Sequence, residues 1–208
     1  DIEYVRVKSF NPYTGAEAIY VVAKSLVSEW FSPKAAGLQL EDYKPGDKLI
    51  PFKVLDGTFK GSDLVGIRYH QLIPWFKPLE GDAFRVIPGD YVSTDEGTTG
   101  IVHIAPTFGA DDKKVAAAAG IPPMMVLDKN GNPQPQVDHD GRFCLLEDLD
   151  PEYVATHVAP EYKEYAGRFV KNAFDDSLPK DAPTLDIDLC MMMKMDGRAF
   201  KIQKHVHS

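Results

Sequence analysis

Short apolar segments separated by turn residues restrict the fold of this chain more than any other feature of its sequence. The 208 residues include 16 glycines and 16 prolines, which interrupt helices and mark turns. The segments between them are short and rich in β-branched residues, as strands are. The sequence therefore predicts a mainly β fold with small helical insertions, an α+β domain whose strands form a barrel.

The pattern of apolar residues places individual elements along the chain. Alternation over residues 2–9 and a second apolar run over 18–23 predict a hairpin joined by the turn at 11–15. Helical patterns cover 25–31, 111–119 and 150–165, the last interrupted by Pro160. Further strands are predicted within residues 53–66, 84–88, 100–106 and 124–127. The run Met191-Met192-Met193 is interpreted as strand and core filler, although methionines also form adaptable binding surfaces.

The net charge argues against one large class of function. It is −8 at pH 7, whereas domains that coat duplex DNA or RNA are usually basic. We therefore expect no DNA partner. An acidic protein can still admit the end of an RNA strand into a local pocket.

The two cysteines and the hydropathy indicate a cytoplasmic protein. Cys144 and Cys190 are the only cysteines, and neither has a partner at the spacing of a zinc site or a disulfide framework. No apolar run approaches the roughly 20 residues that cross a bilayer, and the start has no signal-peptide pattern. We expect no membrane partner.

Motifs of common catalytic sites are absent from the sequence. There is no G-x-S-x-G, P-loop, H-E-x-x-H or C-x-x-C motif. His205 and His207 are spaced like neighbours on one strand face, but a third ligand is missing, so no metal site is predicted.

The segment from Gly97 to Asp112 carries the strongest candidate site. Here His103 ends an apolar run, a Pro/Gly loop follows, and Asp111 and Asp112 open a helix, whose positive end suits acids. Two interpretations are open on the pattern alone. The residues form a site, or the aspartates are ordinary first-turn acids and His103 is a buried core histidine.

This segment resembles a known family. The run GIVHIAPTFGADD at residues 100–112 resembles the hallmark of the editing insertion in the class I aminoacyl-tRNA synthetases for isoleucine, valine and leucine. Residues 61–69 resemble the family's G-x-x-L-x-G-x-x-Y pattern, 137–143 its V-D-x-x-G-x-F loop, and 198–202 its exit toward the catalytic core. Histidine directly after Gly-Ile-Val is the isoleucyl pattern, because valyl enzymes typically carry lysine there and leucyl enzymes an apolar residue.

The resemblance implies a fold, an activity and a set of site residues. Residues 1–208 would form a single β-barrel editing domain that hydrolyses mischarged valyl-tRNA(Ile). His103 and Asp112 would be the catalytic residues. Asp112 would bind the α-ammonium group of the amino acid, and His103 would form the pocket wall that excludes isoleucine and would help to position the terminal ribose or a water. The remaining substrate-binding residues would be Thr99, Gly100 and Asp111.

The resemblance also implies the surroundings of such a domain. Its partners would be the aminoacylated 3' end of tRNA(Ile) and the rest of a monomeric parent synthetase. No metal or cofactor is implied within the domain, since ATP belongs to the parent's catalytic domain. Three alternatives are an editing domain of a valyl enzyme, a non-catalytic β-barrel that binds RNA ends, and an ordinary β-barrel that binds another ligand.

Two departures from the family pattern stand out. Gly97-Thr98-Thr99-Gly100 has one threonine more than the family's Gly-Thr-Gly. The family's threonine-rich segment lies upstream of the strand that begins this chain. Because the chain also opens on Asp1 without an initiator methionine, we expect an excised fragment that lacks part of the editing pocket.

Overall fold

The computed structural model describes residues 1–170, 177–179 and 181–204, which form two compact units. The first unit comprises Asp1–Ile67, Val86–His103 and Cys190–Ser208, and the second comprises Arg68–Arg85 and Ile104–Leu189. The assignment of residues 1–208 to one editing domain stays a prediction.

An antiparallel hairpin organises the first unit. Strands β1 (Glu3–Phe10) and β2 (Glu17–Ala23) pair along their lengths, which confirms the predicted hairpin. The side chain of Asn11 holds the turn, accepting the backbone N–H groups of Tyr13 and Thr14 at 2.9 and 3.0 Å. Two short strands, β3 (Lys53–Val54) and β4 (Phe59–Lys60), pair with the other edge of β1.

The core of the first unit is built around this hairpin, with buried side chains on both of its faces. It contains these buried side chains: Tyr4, Val5, Val7, Val22, Ala23, Leu26 and Phe31. Partly buried aromatic residues complete it, and among them Phe200 contacts Tyr20, Trp30 and Phe31 with ring centroids 4.8, 6.2 and 5.5 Å apart.

Short helices follow the strands of the first unit. The predicted helix over 25–31 is present as a 3₁₀ turn (Lys24–Leu26) that runs into α1 (Val27–Trp30). Further 3₁₀ turns occur at Pro33–Ala35 and Leu40–Asp42. Helix α2 (Gly61–Leu64) lies within the predicted strand region, because the Asp63 carboxylate accepts the Lys60 N–H at 2.8 Å and starts a helical turn.

The second unit combines helices with one small hairpin. Helix α3 (Ala110–Ala118) confirms the predicted helix after Gly109. The hairpin consists of β5 (Val126–Leu127) and β6 (Pro133–Gln134). The helix predicted over 150–165 is divided as expected, into α4 (Pro151–His157) and a 3₁₀ helix (Pro160–Glu164). The core of the second unit contains these buried side chains: Trp75, Phe76, Val126, Leu149, Tyr153, Tyr162 and Leu185.

Helix α5 (Leu185–Met195) corrects one prediction. Met191-Met192-Met193 lies in this helix and not in a strand. Leucine and methionine, which are not branched at Cβ, are good helix formers. The segment 185–195 contains only one β-branched residue, Ile187. In the described residues, no helix combines the length and the apolar composition needed to cross a membrane.

The predicted α+β composition is confirmed, but the predicted barrel is wrong for the described residues. Their named strands form one four-stranded sheet and one separate two-stranded hairpin. A barrel needs strands that pair around a closed ring, whereas four of the six strands here have only two residues. The predicted strands at 84–88 and 100–106 are also absent: Arg85 makes an isolated bridge to Arg68, and Gly100 has a φ of +79°.

Candidate functional site

The backbone of residues 97–100 is attached to one corner of the first unit. The N–H of Gly97 donates to Glu29 Oε1 at 2.6 Å. The carbonyl of Thr98 accepts from Trp30 Nε1 at 2.8 Å, and that of Thr99 from the Ala23 N–H at 2.9 Å. Each of these three residues is thus held by the end of β2 or by α1.

Gly100 is also held by the first unit, and its position requires a glycine. Its carbonyl accepts a hydrogen bond from the hydroxyl of Tyr4, a buried residue whose pKa is raised by burial. A Cβ atom on Gly100 would lie 2.8 Å from the Cβ of Ala23 and 3.2 Å from Cε1 of Tyr4. Because φ at this position is also positive, only a residue without a side chain fits here. Its role in the segment is therefore explained by close packing.

Thr99 is half-buried beside Gly100. Its hydroxyl donates to the Ile101 carbonyl at 3.0 Å and lies 3.3 Å from the Ile101 N–H. Both contacts are local, so the hydroxyl shapes the turn into the residues that follow.

His103 is exposed and is the last residue of the range Val86–His103 in the first unit. Ile101 and Val102 before it are 45% and 44% exposed, so this run is not a buried strand. The interpretation of His103 as a buried core histidine is therefore wrong. An exposed imidazole after two exposed aliphatic side chains is available to a ligand.

In the second unit, the loop before α3 folds back on itself. The Ala105 carbonyl accepts the N–H groups of Phe108 and Gly109 at 3.0 and 2.9 Å. Asp112, in the first turn of α3, accepts the Ala105 N–H on Oδ2 at 2.8 Å. The placement of Asp112 near the helix N-terminus is confirmed, and its carboxylate fastens the loop.

Gly109 leaves the space that this carboxylate occupies. A Cβ atom at Gly109 would lie 2.8 Å from Oδ2 of Asp112 and 2.9 Å from its Cγ. Among the described residues, the side chain of Asp112 has no hydrogen-bond partner other than the Ala105 N–H. One carboxylate oxygen is thus held by the loop, and the half-buried side chain can offer the other to a cation.

Asp111 has a different environment from its neighbour. Its side chain is 93% exposed and pairs with Lys114 at 3.2 Å, one helical turn later. This arrangement is that of a solvated first-turn acid, which was one of the two interpretations of the sequence.

The predicted site residues are divided between the two units. Thr99, Gly100 and His103 belong to the first unit, and Asp111 and Asp112 to the second. The pocket that His103 and Asp112 were expected to share stays a prediction.

Two surface concavities in the first unit contain none of the five predicted site residues. One of about 510 Å³ lies beside Lys8, Glu17 and Lys53, and one of about 390 Å³ lies beside Arg6, Phe59 and Ile67. Within the described ranges, no group of three or more His, Cys, Asp or Glu side chains is placed to hold a metal ion. His205 and His207 lie outside the described residues.

Sequence reasoning missed the residues that hold the candidate segments. Glu29 and Trp30 lie in the helix predicted over 25–31, yet each binds a backbone group 68 residues away. It also missed Phe108, whose side chain is 62% exposed in the loop before α3. Gly97 was the available signal, since a glycine in a run of polar residues often marks a special backbone conformation.

Comparison with known proteins shows that the chain is similar to isoleucine–tRNA ligases. It is 58% identical over 208 residues to an isoleucine–tRNA ligase of Bacteroides fragilis, and 50% identical over 228 residues to that of Bacteroides thetaiotaomicron. It is also 32% identical over 220 residues to the cytoplasmic isoleucine–tRNA ligase of Arabidopsis thaliana.

These matches cover 100%, 100% and 99% of the chain, but only 18%, 19% and 16% of the relatives. No protein-family model matches the chain. Over its whole length, the chain is therefore homologous to a segment of the isoleucine–tRNA ligases.

Proposed function

We propose that this chain is the editing segment of an isoleucyl-tRNA synthetase and that it hydrolyses the ester of mischarged valyl-tRNA(Ile). Homology to a segment of isoleucine–tRNA ligases supports this proposal, as does the resemblance of residues 100–112 to the hallmark of editing insertions. In the longer protein, we propose that isoleucine is joined to tRNA(Ile) with ATP bound outside this chain. We propose that this longer protein is a monomer and that it is cytoplasmic, as the name of the Arabidopsis relative says of that protein.

The need for a second site is energetic. One methylene in an apolar pocket gives about 1–3 kcal/mol of discrimination, a magnitude that is established for the isoleucyl enzyme itself. Valine, which is smaller than isoleucine by one methylene, is therefore attached too often by a single pocket. A hydrolytic site that accepts valine and rejects isoleucine supplies the remaining selectivity.

The geometry of Asp112 is the observation that carries the proposal. A carboxylate binds an ammonium group best when its own position is fixed, because less entropy is lost on binding. The Ala105 N–H fixes one oxygen of Asp112, at the N-terminal end of α3. We propose that the second oxygen binds the α-ammonium of the aminoacyl group.

The proposed reaction needs little more than positioning. The oxygen of a water molecule bonds to the ester carbonyl carbon and gives up a proton, the bond from that carbon to the ribose oxygen breaks, and the ribose oxygen takes up a proton in its place. Aminoacyl esters are already activated, so orientation and electrostatic stabilisation suffice. His103 is assigned the wall that overlaps the extra methyl of isoleucine, and it is assigned no proton transfer.

Deacylation assays test the proposal directly. Valyl-tRNA(Ile) and isoleucyl-tRNA(Ile) are each incubated with this chain and with the full-length protein that carries it, and release of the amino acid is followed. We expect hydrolysis of the valyl ester and sparing of the isoleucyl ester by the full-length protein. Tight binding of tRNA ends without hydrolysis would instead identify a non-catalytic RNA-end binding domain.

A further inference from the structure

The extended segment that leads to His103 has no regular structure of its own. Within residues 86–103, no residue belongs to a helix or strand. Its position therefore depends on contacts with other parts of the first unit. Those contacts concentrate on four consecutive residues, Gly97 to Gly100, each of which offers one backbone group to a partner in β1, β2 or α1.

Two of the partners are side chains of α1. Glu29 accepts the Gly97 N–H at 2.6 Å, and Trp30 donates its indole N–H to the Thr98 carbonyl at 2.8 Å. These bonds join residues 68 positions apart and hold the segment through long-range contacts. The ring of Trp30 is itself kept in place by Phe200, at 6.2 Å between centroids, and by Lys201, whose Nζ lies 5.2 Å from the ring centroid.

The hydrogen bonds of residues 97–100 limit the position of His103. His103 follows Gly100 by three residues, and three residues span at most about 11 Å. Fixing the backbone at 97–100 therefore keeps the backbone of His103 within this distance of Gly100. A side chain that rejects a substrate by overlap has to be held firmly, since a displacement of about 1 Å can cost roughly a hundredfold in rate or selectivity.

We propose that Glu29 and Trp30 are positioning residues of the editing site, which act through the backbone of Gly97 and Thr98. This inference rests on the proposed function. Neither side chain touches the substrate in this scheme. Their effect is on the discrimination between valine and isoleucine, because they restrain the segment that carries the excluding wall.

The test uses the full-length protein with three variants and a control. Trp30→Phe keeps an aromatic ring and removes the N–H, Glu29→Ala removes the acceptor, and Glu29→Gln restores an oxygen acceptor without charge. Lys24→Ala is the control, since it breaks an exposed ion pair with Glu3 in the same corner and none of the bonds to residues 97–100.

Two measurements are made on each variant. The first is hydrogen exchange of the backbone amides of residues 93–100. The second is the ratio of the deacylation rates of valyl-tRNA(Ile) and isoleucyl-tRNA(Ile). Partial unfolding lowers both rates by the same factor, so a purely structural role does not change this ratio.

We expect Trp30→Phe and Glu29→Ala to speed exchange and to lower the rate ratio about tenfold, in line with the cost of a small displacement. Glu29→Gln and Lys24→Ala should stay within about twofold of the unmodified protein, which is the scatter expected of neutral surface changes. Faster exchange with an unchanged ratio overturns the inference and leaves the proposed function standing, and unchanged exchange overturns it as well. If the unmodified protein hydrolyses neither ester, the proposed function fails and the inference falls with it.

Discussion

The Asp112 carboxylate accepts the backbone N–H of Ala105 at 2.8 Å, so this acid closes the loop that precedes its own helix. The bond gives Asp112 two separable roles. One oxygen maintains the loop, and in the proposed function the negative charge binds the substrate ammonium. Substitutions that remove the two roles separately therefore distinguish structure from binding.

Replacing Asp112 by Asn and by Ala tests its charge. Asp112→Asn keeps an oxygen that can accept from Ala105 and loses the charge, whereas Asp112→Ala loses both. We expect both variants to hydrolyse valyl-tRNA(Ile) roughly tenfold to over a hundredfold more slowly, because a charge-assisted bond contributes about 1.5–3 kcal/mol. Only Asp112→Ala should also lower the free energy of unfolding, by about 1 kcal/mol. Normal hydrolysis by Asp112→Asn in the full-length protein, with isoleucine activation as the control, would show that another group binds the ammonium.

Gly109→Ala tests the position of the same carboxylate without changing its chemistry. The new Cβ would lie 2.8 Å from Oδ2 of Asp112, so the side chain has to move off the Ala105 N–H. We expect slower deacylation of valyl-tRNA(Ile), by about tenfold, with a loss of unfolding free energy of no more than about 1 kcal/mol, as is typical of a cap substitution. Gly37→Ala is a suitable control, because Gly37 has open space around it and an ordinary φ. Gly120→Ala is not suitable, because Gly120 has a positive φ. Equal rates for Gly109→Ala and Gly37→Ala would contradict the assigned role of Asp112.

His103→Ala tests the second sieve. If the imidazole excludes isoleucine by overlap, its removal makes room for one more methyl, and the full-length protein should then hydrolyse correctly charged isoleucyl-tRNA(Ile). Because His103 is exposed, the melting temperature should change little. Both deacylation rates and a melting curve are measured together. A folded variant that keeps its full preference for valine would remove His103 from the sieve.

Tyr162→Phe tests the core of the second unit. Tyr162 is fully buried, and its hydroxyl donates to the Cys144 carbonyl at 2.6 Å and lies 3.3 Å from the Cys144 thiol. Burial is the main reason that the pKa of this phenol is raised well above its ordinary value. Without the hydroxyl, the Cys144 carbonyl loses this hydrogen bond, so we expect the free energy of unfolding to fall by about 1–3 kcal/mol. Urea titration measures this, and Tyr69→Phe, at a residue that is 52% exposed, should change it by less than about 0.5 kcal/mol.

Sequence patterns correctly predicted those parts of the fold that depend on interactions between residues close together in the chain. Alternating side chains predicted the pairing of β1 and β2, and Pro160 predicted the division between α4 and the 3₁₀ helix after it. The methionine run was misjudged because a short apolar segment suits a buried helix as well as a strand. Residues 100–106 were misjudged because Gly100 takes a positive φ where it passes Ala23, a contact with a distant residue that no local pattern contains.

The candidate site shows the same limit. Asp112 was placed correctly in the first turn of a helix, since an acid after a Pro/Gly loop is a local signal. Its bond to Ala105 depends on how the loop turns, and the bonds of Glu29 and Trp30 depend on tertiary contacts between distant segments. The exposure of His103 could not be read from its apolar neighbours, because Ile101 and Val102 are themselves exposed.

The contacts of Phe200 have a consequence for synthesis on the ribosome. Its ring packs on Tyr20, Trp30 and Phe31, which are translated about 170 to 180 residues earlier. At roughly 5–20 residues per second, these three rings wait on the order of 10 to 40 s for their partner. During that interval the N-terminal hairpin presents an uncovered aromatic surface, so the nascent chain should be most prone to aggregation, and most dependent on chaperones, before Phe200 leaves the exit tunnel.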